Sequence, residues 1–150
     1  MDIIKITQAD FNEWLDLAMQ LWSDNSIEEM HASLTTILQS PREAAFLARA
    51  EDGSAIAFMN LSLRHDYVPG ATQSPVAYIE GIYVKENYRK QGLGKALIQY
   101  AEQWAVEQGC TQLASDALLE NTESYEFHTH IGFEEVERVV CFIKPVVASH

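Results

Sequence analysis

A short glycine-containing turn, Arg-Lys-Gln-Gly-Leu-Gly at positions 89–94, is the feature of this chain most suggestive of chemistry. The preceding segment, 77–84, is rich in β-branched and aromatic residues, as strands are. The following segment places apolar residues on one helical stripe: Leu93, Ala96, Leu97, Tyr100, Ala101 and Trp104. A turn that opens a helix directs several unpaired backbone N–H groups at one point, with the positive end of the helix dipole behind them. This arrangement predicts a phosphate or pyrophosphate site.

The spacing of the turn narrows the class of phosphate ligand. It lacks the four residues between glycines, followed by Lys and Ser or Thr, that a P-loop requires. It also lacks the third glycine of the dinucleotide-binding fingerprint. An ordinary loop before a helix remains the alternative interpretation of these six residues.

The composition limits the possible partners. The chain has 150 residues, of which 47% are hydrophobic, enough for one domain with a packed core. Its net charge of −12 argues against nucleic acid and anionic membranes, whose binders present basic surfaces. Such a charge concentrates cations near the protein, although acidity for solubility alone explains it equally well.

Other features of the sequence predict a cytoplasmic protein. No stretch approaches the roughly 18 apolar residues of a membrane span, and residues 1–5 do not begin a secretory signal. The two cysteines, Cys110 and Cys141, lie in apolar sequence and are expected to be packed, reduced thiols.

Hydrophobic periodicity predicts the elements that position the turn. Strands are expected at 3–6, 44–50, 55–63, 77–84, 111–115 and 136–143, and helices at 11–22, 27–38, 93–108 and 121–131. Capping boxes begin at Thr7 and Ser26, and Asp52-Gly53 predicts a hairpin. The segment 64–75 has the residue types of a surface loop. This order predicts one α/β domain over residues 1–150, with a mixed, mostly antiparallel sheet and helices on both faces.

Two motifs resemble those of one enzyme family. Residues 89–94 fit its Arg/Gln-x-x-Gly-x-Gly/Ala loop, and Asn121, Ser124, His128, Gly132 and Phe133 fit its Asn-x-x-Ala-x-x-x-Tyr-x-x-x-Gly-Phe segment. The chain therefore resembles the GCN5-related N-acetyltransferase (GNAT) family, whose order of elements it matches throughout. The resemblance implies the GNAT fold, in which splayed central strands hold coenzyme A.

Further local sequences resemble one branch of that family. Arg64-His-Asp-Tyr-Val, Ala114-Ser-Asp and the segment 133–139 look like the aminoglycoside 6'-N-acetyltransferases of bacterial resistance. Asn25 departs from that branch, in which a histidine is often found, so one substrate contact is expected to differ. The resemblance implies acetyl transfer from acetyl-CoA to the 6'-amino group of a cationic aminoglycoside, by a homodimer.

The resemblance also implies contacts to acetyl-CoA. The pantetheine arm would pair with Ile82, Tyr83 and Val84 like an extra strand, and the Val84 N–H would donate to the thioester oxygen as charge develops. The remaining expected contacts are the backbone amides and charges of the turn, with one polar side chain further on: Arg89, Lys90, Gln91, Gly92, Leu93, Gly94, Lys95 and Asn121. Asn121 is equally explained as a helix N-cap.

Three carboxylates are expected to meet the amine substrate. Only the neutral amine attacks, and nearby carboxylates attract the ammonium while raising its pKa. We expect Glu80 to act as a base through a water molecule. Asp116, counted with Glu80 among the catalytic residues, and Glu137 are expected mainly to anchor other amino groups. Solvated carboxylates with no such function are the alternative for each position.

Aromatic and polar residues complete the expected substrate contacts. Trp22 and Tyr67 could form walls against sugar rings or cationic groups, with Asn25 nearby in sequence to Trp22. Core packing explains Trp22 equally well, whereas Tyr67 lies in a polar loop that favours binding.

The histidines leave two questions for the structure. His128 occupies the place of the family's Tyr, which protonates the leaving thiolate, but Phe127 and Ile131 beside it also suit a structural role. The other histidines, His31, His65, His130 and His150, show no spacing typical of metal ligands, so no metal is expected.

Two other functions remain compatible with the sequence. An acetyltransferase acting on a polyamine or a protein N-terminus would also suit an acidic surface. A non-catalytic acyl-CoA-binding module is the second alternative, against which the intact glycine turn and Asn121 argue.

Overall fold

A computed structural model describes residues 1–148 of the chain. Five strands are present: β1 Asp2–Lys5, β2 Glu43–Arg49, β3 Ala55–Arg64, β4 Val76–Val84 and β5 Leu113–Ala114. Four α-helices accompany them: α1 Phe11–Leu21, α2 Ile27–Gln39, α3 Leu93–Glu107 and α4 Thr122–His130. Short 3-10 turns precede α1 and α3, at Gln8–Asp10 and Glu86–Tyr88. By contacts the chain divides into two units, Met1–Asp116 and Ala117–His150.

The first unit contains one mixed sheet with the strand order β1-β2-β3-β4-β5. The first four strands pair antiparallel, and β5 pairs parallel with β4 through Ala77 and Tyr78. Parallel pairing follows from the crossover through α3, since a crossover connection is what parallel neighbours require. The predicted mixed, mostly antiparallel sheet is therefore confirmed.

Side chains on the two faces of the sheet pack against different helices. Ala45 and Leu47 of β2 lie in one core cluster with residues of α1 and α2. Phe46, between them, contacts Tyr100 of α3, with ring centroids 5.7 Å apart. Because successive side chains of a strand point to opposite faces, α1 and α2 cover one face and α3 covers the other.

A buried hydrogen bond connects helix α1 to strand β3. The Trp14 side chain is fully buried, and its Nε1 donates to Oδ1 of Asn60 in β3 at 3.0 Å. A buried Trp N–H normally finds such a partner, because leaving it unpaired costs about 1–3 kcal/mol. The bond holds the first turn of α1 over β3, the central strand of the sheet.

The second unit contains α4 and an extended C-terminal segment. The prediction of a strand at 136–143 is wrong for the described structure, in which residues 134–148 form no helix or strand. Its apolar side chains are exposed, with Phe142 at 91% and Ile143 at 99%. A strand needs a partner for its backbone N–H and C=O groups, and apolar composition alone does not provide one.

The cysteines differ from each other. Cys110 is buried, with its Sγ 3.5 Å from the Pro75 carbonyl oxygen, as expected of a packed thiol. Cys141 lies in the exposed C-terminal segment, so the prediction that it is packed is wrong. Among the described residues no helix is long and apolar enough to cross a membrane.

Candidate active site

One edge of β4 lacks a neighbouring strand along most of its length. β5 pairs with Ala77 and Tyr78 only, so within residues 1–148 no strand pairs with 79–84 on that side. The Lys85 N–H donates to the Ile56 carbonyl of the β3 side at 2.9 Å. Since peptide groups alternate in direction along a strand, those of Val84 and Ile82 face the open edge. This edge can pair with an extended ligand.

Tyr83, predicted with its two neighbours to contact the cofactor, is oriented differently. Its peptide groups face β3 by the same alternation, and its hydroxyl donates to Oε1 of Gln20 in α1 at 3.0 Å. The position thus contributes to the attachment of α1, and the open edge is formed by Ile82 and Val84.

The turn before α3 has the geometry of an anion-binding site. The helix begins at Leu93, and its first helical bond runs from the Ala96 N–H to the Gly92 carbonyl at 3.0 Å. The N–H groups of Leu93, Gly94 and Lys95 therefore precede the helical ladder, and no side chain caps this end. These donors and the helix dipole favour a negatively charged ligand.

Backbone conformation explains the glycine at the start of α3. Gly92 has φ of +82° and Lys90 has φ of +63°, both in the left-handed region. A Cβ at Gly92 would meet no atom within 4 Å, so the requirement is conformational rather than steric. Gln91 also supports the turn, since its Nε2 donates to the Asn87 carbonyl at 3.2 Å.

Arg89 connects the turn to the open strand edge. Its Nε donates to the Val84 carbonyl oxygen at 2.8 Å, and its guanidinium carbon lies 5.6 Å from the centre of the Tyr83 ring. The Arg89 guanidinium, which is expected to contact the phosphates, therefore lies at the end of β4, between the open strand edge and the turn before α3.

Glu80 projects from a β-bulge in β4. Asn60 pairs with Gly81 and Leu61 with Ile79, which leaves Glu80 as an extra residue. A bulge changes the direction of its side chain and is frequent next to active sites. Through this bulge Glu80 shares a face of the sheet with Tyr78 and with Ser62 of β3.

The Glu80 carboxylate is held by three hydrogen bonds. Arg64 donates through Nε and Nη2 at 2.8 and 2.6 Å, and the Ser62 hydroxyl donates at 2.5 Å. Burial raises the pKa of Glu80, but the bonds from Arg64 and Ser62 together outweigh it and hold the pKa below its usual value. The carboxylate stays ionised near neutral pH, and its low pKa makes it a weaker base than an ordinary glutamate.

Asp116 is linked to the same cluster through Tyr78. The Tyr78 hydroxyl donates to Oδ2 of Asp116 at 2.5 Å. The Tyr78 ring lies 3.4 Å from the Arg64 guanidinium carbon. Burial and the bond to Asp116 raise the pKa of the Tyr78 hydroxyl, so it remains a proton donor at physiological pH. The structure thus brings the predicted Glu80 and Asp116 together through residues that the sequence analysis did not assign.

The residues missed by the sequence analysis are Ser62, Arg64 and Tyr78. The sequence indicated a loop beginning at Arg64, whereas β3 extends to include it. In an antiparallel pair, the register of Ser62 opposite Tyr78 places these residues on one face. The alternation of Ser62 and Arg64 along β3 was the signal that could have indicated the cluster.

Trp22 lies directly against the strand beside Glu80. Its indole ring packs on the backbone of Gly81 and forms an edge contact with Phe58, with centroids 5.7 Å apart. Trp22 is half-buried. Both interpretations of this residue remain, since it packs on the core at the margin of the carboxylate cluster.

Two predicted substrate residues lie on exposed loops of the first unit. Tyr67 is 80% exposed and lines a cavity of about 400 Å³ formed by residues 65–68 and 71–74. Asn25 is exposed in the turn after α1, where its Nδ2 donates to the Trp22 carbonyl at 3.3 Å. Asn25 therefore supports the backbone around Trp22.

The remaining predicted residues belong to the second unit. Asn121 caps α4, since its side chain accepts from the Ser124 N–H at 3.1 Å. His128 Nδ1 lies 2.7 Å from the Ser124 carbonyl oxygen, to which it donates, and its ring contacts Phe127 and Phe133. These contacts favour a structural role for His128. Glu137 is exposed.

Within residues 1–148 no three side chains of metal-ligating type cluster. His150 lies outside the described residues.

The site combines three features: an unpaired strand edge, a helix N-terminus whose N–H groups lack a side-chain cap, and two carboxylates held by hydrogen bonds. The first two suit an extended, phosphate-containing acyl donor, and the carboxylates suit an amine acceptor. This combination is that of an N-acyltransferase. The sequence profile of the acetyltransferase (GNAT) family matches residues 7–133. The chain belongs to this family, and it is an N-acetyltransferase that uses acetyl-CoA.

Two relatives of the chain carry the same name, that of an aminoglycoside N(6')-acetyltransferase type 1. The chain is 44% identical to an aminoglycoside N(6')-acetyltransferase type 1 of Serratia marcescens, over 95% of this chain and 97% of that protein. It is 41% identical to the protein of the same name from Salmonella typhimurium, over 96% of this chain and 99% of that one.

Solved structures agree in fold over almost the whole chain. The structure of AAC(6')-Iy in complex with a bisubstrate analogue, CoA-S-monomethyl-acetylneamine, has a TM-score of 0.92 at 39% identity, covering 97% of this chain and 98% of that one. The apo 6'-N-acetyltransferase AAC(6')-IG from Acinetobacter haemolyticus has a TM-score of 0.92 at 37% identity, covering 98% and 100%. The predicted GNAT fold is thereby confirmed.

Proposed function

We propose that this protein transfers the acetyl group of acetyl-CoA to the 6'-amino group of aminoglycosides and so confers resistance to them. The observation that carries the proposal is the linked pair of carboxylates, Glu80 on the open-edged strand β4 and Asp116 just after β5, which Tyr78 and Arg64 connect. The unpaired edge of β4 can bind an extended acyl donor through main-chain hydrogen bonds, and the carboxylates can attract a polycationic acceptor. Relatives named for this activity, at about 40% identity over nearly their whole length, support the choice of acceptor.

The open edge and the turn fit acetyl-CoA. The N–H and C=O groups of Ile82 and the N–H group of Val84 are available to an extended amide-containing arm, whereas the Val84 carbonyl oxygen accepts from Arg89. The amides from Gln91 to Lys95 and the dipole of α3 favour its diphosphate. Arg89 and Lys90 add positive charge.

The chain's own groups act on the amine and the developing charge. The Val84 N–H donates toward the oxygen on which charge develops, an interaction whose removal costs roughly 3–4 kcal/mol in other enzymes. Only a neutral amine attacks, and Glu80 accepts its proton through a water molecule. The lowered pKa of Glu80 keeps the carboxylate ionised and ready to accept a proton, although it makes Glu80 a weaker base.

Further residues are proposed to hold the sugar rings and amino groups. Asp116 anchors ammonium groups other than the one that reacts. Trp22 and Tyr67 provide aromatic surfaces for cations and sugars. Asn25 acts through the backbone around Trp22.

A spectrophotometric assay of CoA thiol release tests the function. Kanamycin and tobramycin should support turnover with acetyl-CoA, and spermidine should be a poor acceptor. Good turnover on spermidine with none on any 6'-amino compound would instead support the polyamine alternative. Binding of acetyl-CoA without turnover on any amine would support the non-catalytic module.

Two variants test the assigned carboxylates. Glu80→Gln should lower kcat at least about tenfold, toward the range typical of lost proton transfer. Asp116→Asn should mainly raise the KM for aminoglycoside and leave the KM for acetyl-CoA unchanged. An effect of Asp116→Asn confined to acetyl-CoA would show that the substrate site is assigned wrongly.

The C-terminal segment supports a homodimer. Exposed apolar side chains cluster there: Val139, Val140, Phe142, Ile143, Val146 and Val147. Large apolar side chains that are exposed in this number, close together in sequence, are typical of a segment that is buried in an interface. Light scattering should give twice the chain mass, and Phe142→Asp should shift it toward the monomer; monomeric wild-type protein would contradict this.

The net charge and the cysteines support a cytoplasmic enzyme that binds neither nucleic acid nor membranes. The net charge of −12 is unfavourable for binding nucleic acid or anionic membranes, and unpaired cysteines suit the reducing cytoplasm. Cell fractionation tests the cytoplasmic location. Retention on immobilised DNA and sedimentation with anionic vesicles test whether the protein binds nucleic acid or membranes. The family match crosses from the first unit into the second, which supports one functional domain.

A further inference from the structure

The Arg64 side chain is held on two sides within the carboxylate cluster. Its Nε and Nη2 donate to both oxygens of Glu80, at 2.8 and 2.6 Å. Its guanidinium carbon lies 3.4 Å from the centre of the Tyr78 ring, within the range of a cation–π contact. Bidentate pairing and stacking together use the planar guanidinium in a way that an ammonium group cannot reproduce.

The two carboxylates consequently receive partners of different charge. Glu80 faces a cation, Arg64, which cancels its negative charge. Asp116 accepts instead from the uncharged hydroxyl of Tyr78 at 2.5 Å. Among the residues that the structure describes, Asp116 is therefore the carboxylate of the cluster with no cation bonded directly to it, and the charge of Arg64 reaches it only at longer range.

The charged and titratable groups that face Arg64 come from neighbouring elements. β4 provides Glu80 and Tyr78, and Asp116 follows β5. Ser62 of β3 provides an uncharged donor to Glu80. From α1 and its end, Trp22 packs beside Glu80 on Gly81 and carries no charge. Arg64 is the cation of this cluster.

This distribution of charge matters for an amine that must lose a proton. A bare carboxylate raises the pKa of a nearby ammonium and so opposes its deprotonation. A cation beside that carboxylate removes the effect. The second carboxylate can meanwhile attract the other ammonium groups of a polycation.

We propose that Arg64 and Tyr78 are positioning residues that give the two carboxylates different functions: Arg64 fixes Glu80 and cancels its charge beside the reacting amine, and Tyr78 orients the charged Asp116 toward the remaining amino groups of the substrate. This inference rests on the proposed function and extends it to residues with no assigned role.

Two substitutions separate the two functions. Arg64→Gln should lower kcat about tenfold at neutral pH and move the rise of kcat with pH upward by about one unit, because Glu80 is then uncompensated. Tyr78→Phe keeps the ring under Arg64 but removes the hydroxyl. It should raise the aminoglycoside KM about tenfold, with kcat within about twofold and an unchanged pH profile.

A conservative variant and matched controls distinguish positioning from stability. Arg64→Lys keeps the charge without the bidentate bond, so it should restore the pH profile and only part of kcat. Arg49→Gln removes another arginine bound to two carboxylates, and Tyr100→Phe removes a hydroxyl on α3. Both controls should leave kcat, KM and the pH profile unchanged, whatever they do to the melting temperature.

The outcomes decide the proposal independently of the proposed function. If wild-type protein acetylates aminoglycosides and the Arg64→Gln profile coincides with that of wild type, the charge-cancelling role is wrong. If Tyr78→Phe leaves the aminoglycoside KM unchanged, the orienting role is wrong. Absence of wild-type turnover would refute the proposed function instead.

If the wild-type protein shows no turnover, the function of Arg64 can still be tested by a measurement without substrate. In protein labelled with ¹³C-glutamate, the carboxyl titration of Glu80 should move upward by about one pH unit in Arg64→Gln and stay unchanged in Arg49→Gln. An unchanged Glu80 titration in Arg64→Gln would overturn the charge-cancelling role even if no acceptor were found.

Discussion

Substitution of Gly81 by alanine would test how the site is built around Trp22. A Cβ on Gly81 would lie 2.3 Å from Cζ2 and 2.4 Å from Cη2 of the Trp22 ring, and 3.4 Å from Cδ2 of Leu21. Carbon atoms pack at about 3.5–4.0 Å, so the ring must retreat by more than about 1 Å. Because the ring also contacts Phe58, that retreat disturbs the core, and overpacking of this kind costs about 1–3 kcal/mol.

A double-mutant cycle isolates the clash from other effects. Trp22→Phe removes the part of the indole that carries Cζ2 and Cη2, so the added methyl group then has room. Gly81→Ala should destabilise wild type by about 1–3 kcal/mol and the Trp22→Phe protein by much less. The coupling should therefore exceed about 1 kcal/mol in urea unfolding followed by circular dichroism. In thermal melts each kcal/mol should lower Tm by about 2–4 °C in a chain of this size.

Kinetics connect the same change to the site. Displacement of Trp22 should raise the aminoglycoside KM of Gly81→Ala, while the KM for acetyl-CoA stays the same because Ile82 and Val84 keep their open edge. Additivity of the two substitutions within about 0.5 kcal/mol would refute the reasoning, since the ring and the backbone would then not be in contact. An unchanged aminoglycoside KM would leave Trp22 as a core residue.

Three other predictions concern separate parts of the chain. Gly92→Ala places a side chain at φ of +82° and should cost about 1–2 kcal/mol in urea unfolding, with weaker acetyl-CoA binding by calorimetry. His128→Ala should lower Tm while the alkaline limb of the pH–rate profile stays in place, because the ring packs on two phenylalanines. Arg49→Gln should cost about 1 kcal/mol at pH 7, because Asp10 and Glu13 lose their partner. These carboxyl groups have lowered pKa values in the folded protein, so their stabilisation is present above about pH 4 and is lost below it, and the variant should match wild type near pH 2 in urea unfolding.

Each of these three has an outcome that contradicts it. Normal stability and acetyl-CoA affinity in Gly92→Ala would mean that the left-handed conformation is not needed. Loss of the alkaline limb in His128→Ala would instead support the catalytic interpretation. A stability difference for Arg49→Gln that persists at low pH would show that packing, rather than charge, is what Arg49 contributes.

The predictable parts of this fold were those determined by local interactions. The helical stripe after Leu93, the N-cap at Ser26 and the glycine at position 92 each depend on residues within a few positions. Such patterns also carried the family motifs, and with them the cofactor and the acceptor. The strand at 136–143 failed because pairing needs a partner that the apolar pattern does not supply.

The carboxylate cluster could not be derived in this way, because it depends on register between strands distant in sequence. Glu80 was recognisable as an acidic residue within a strand and Asp116 as one at a strand end, but nothing local indicates that Arg64 bonds to the first and Tyr78 to the second. The bulge at Glu80 and the pairing of Ser62 with Tyr78 place these side chains on one face. Residue types and spacing therefore indicated which chemistry the chain performs, whereas the pairing of β3 with β4 determined which carboxylate is neutralised and which remains charged.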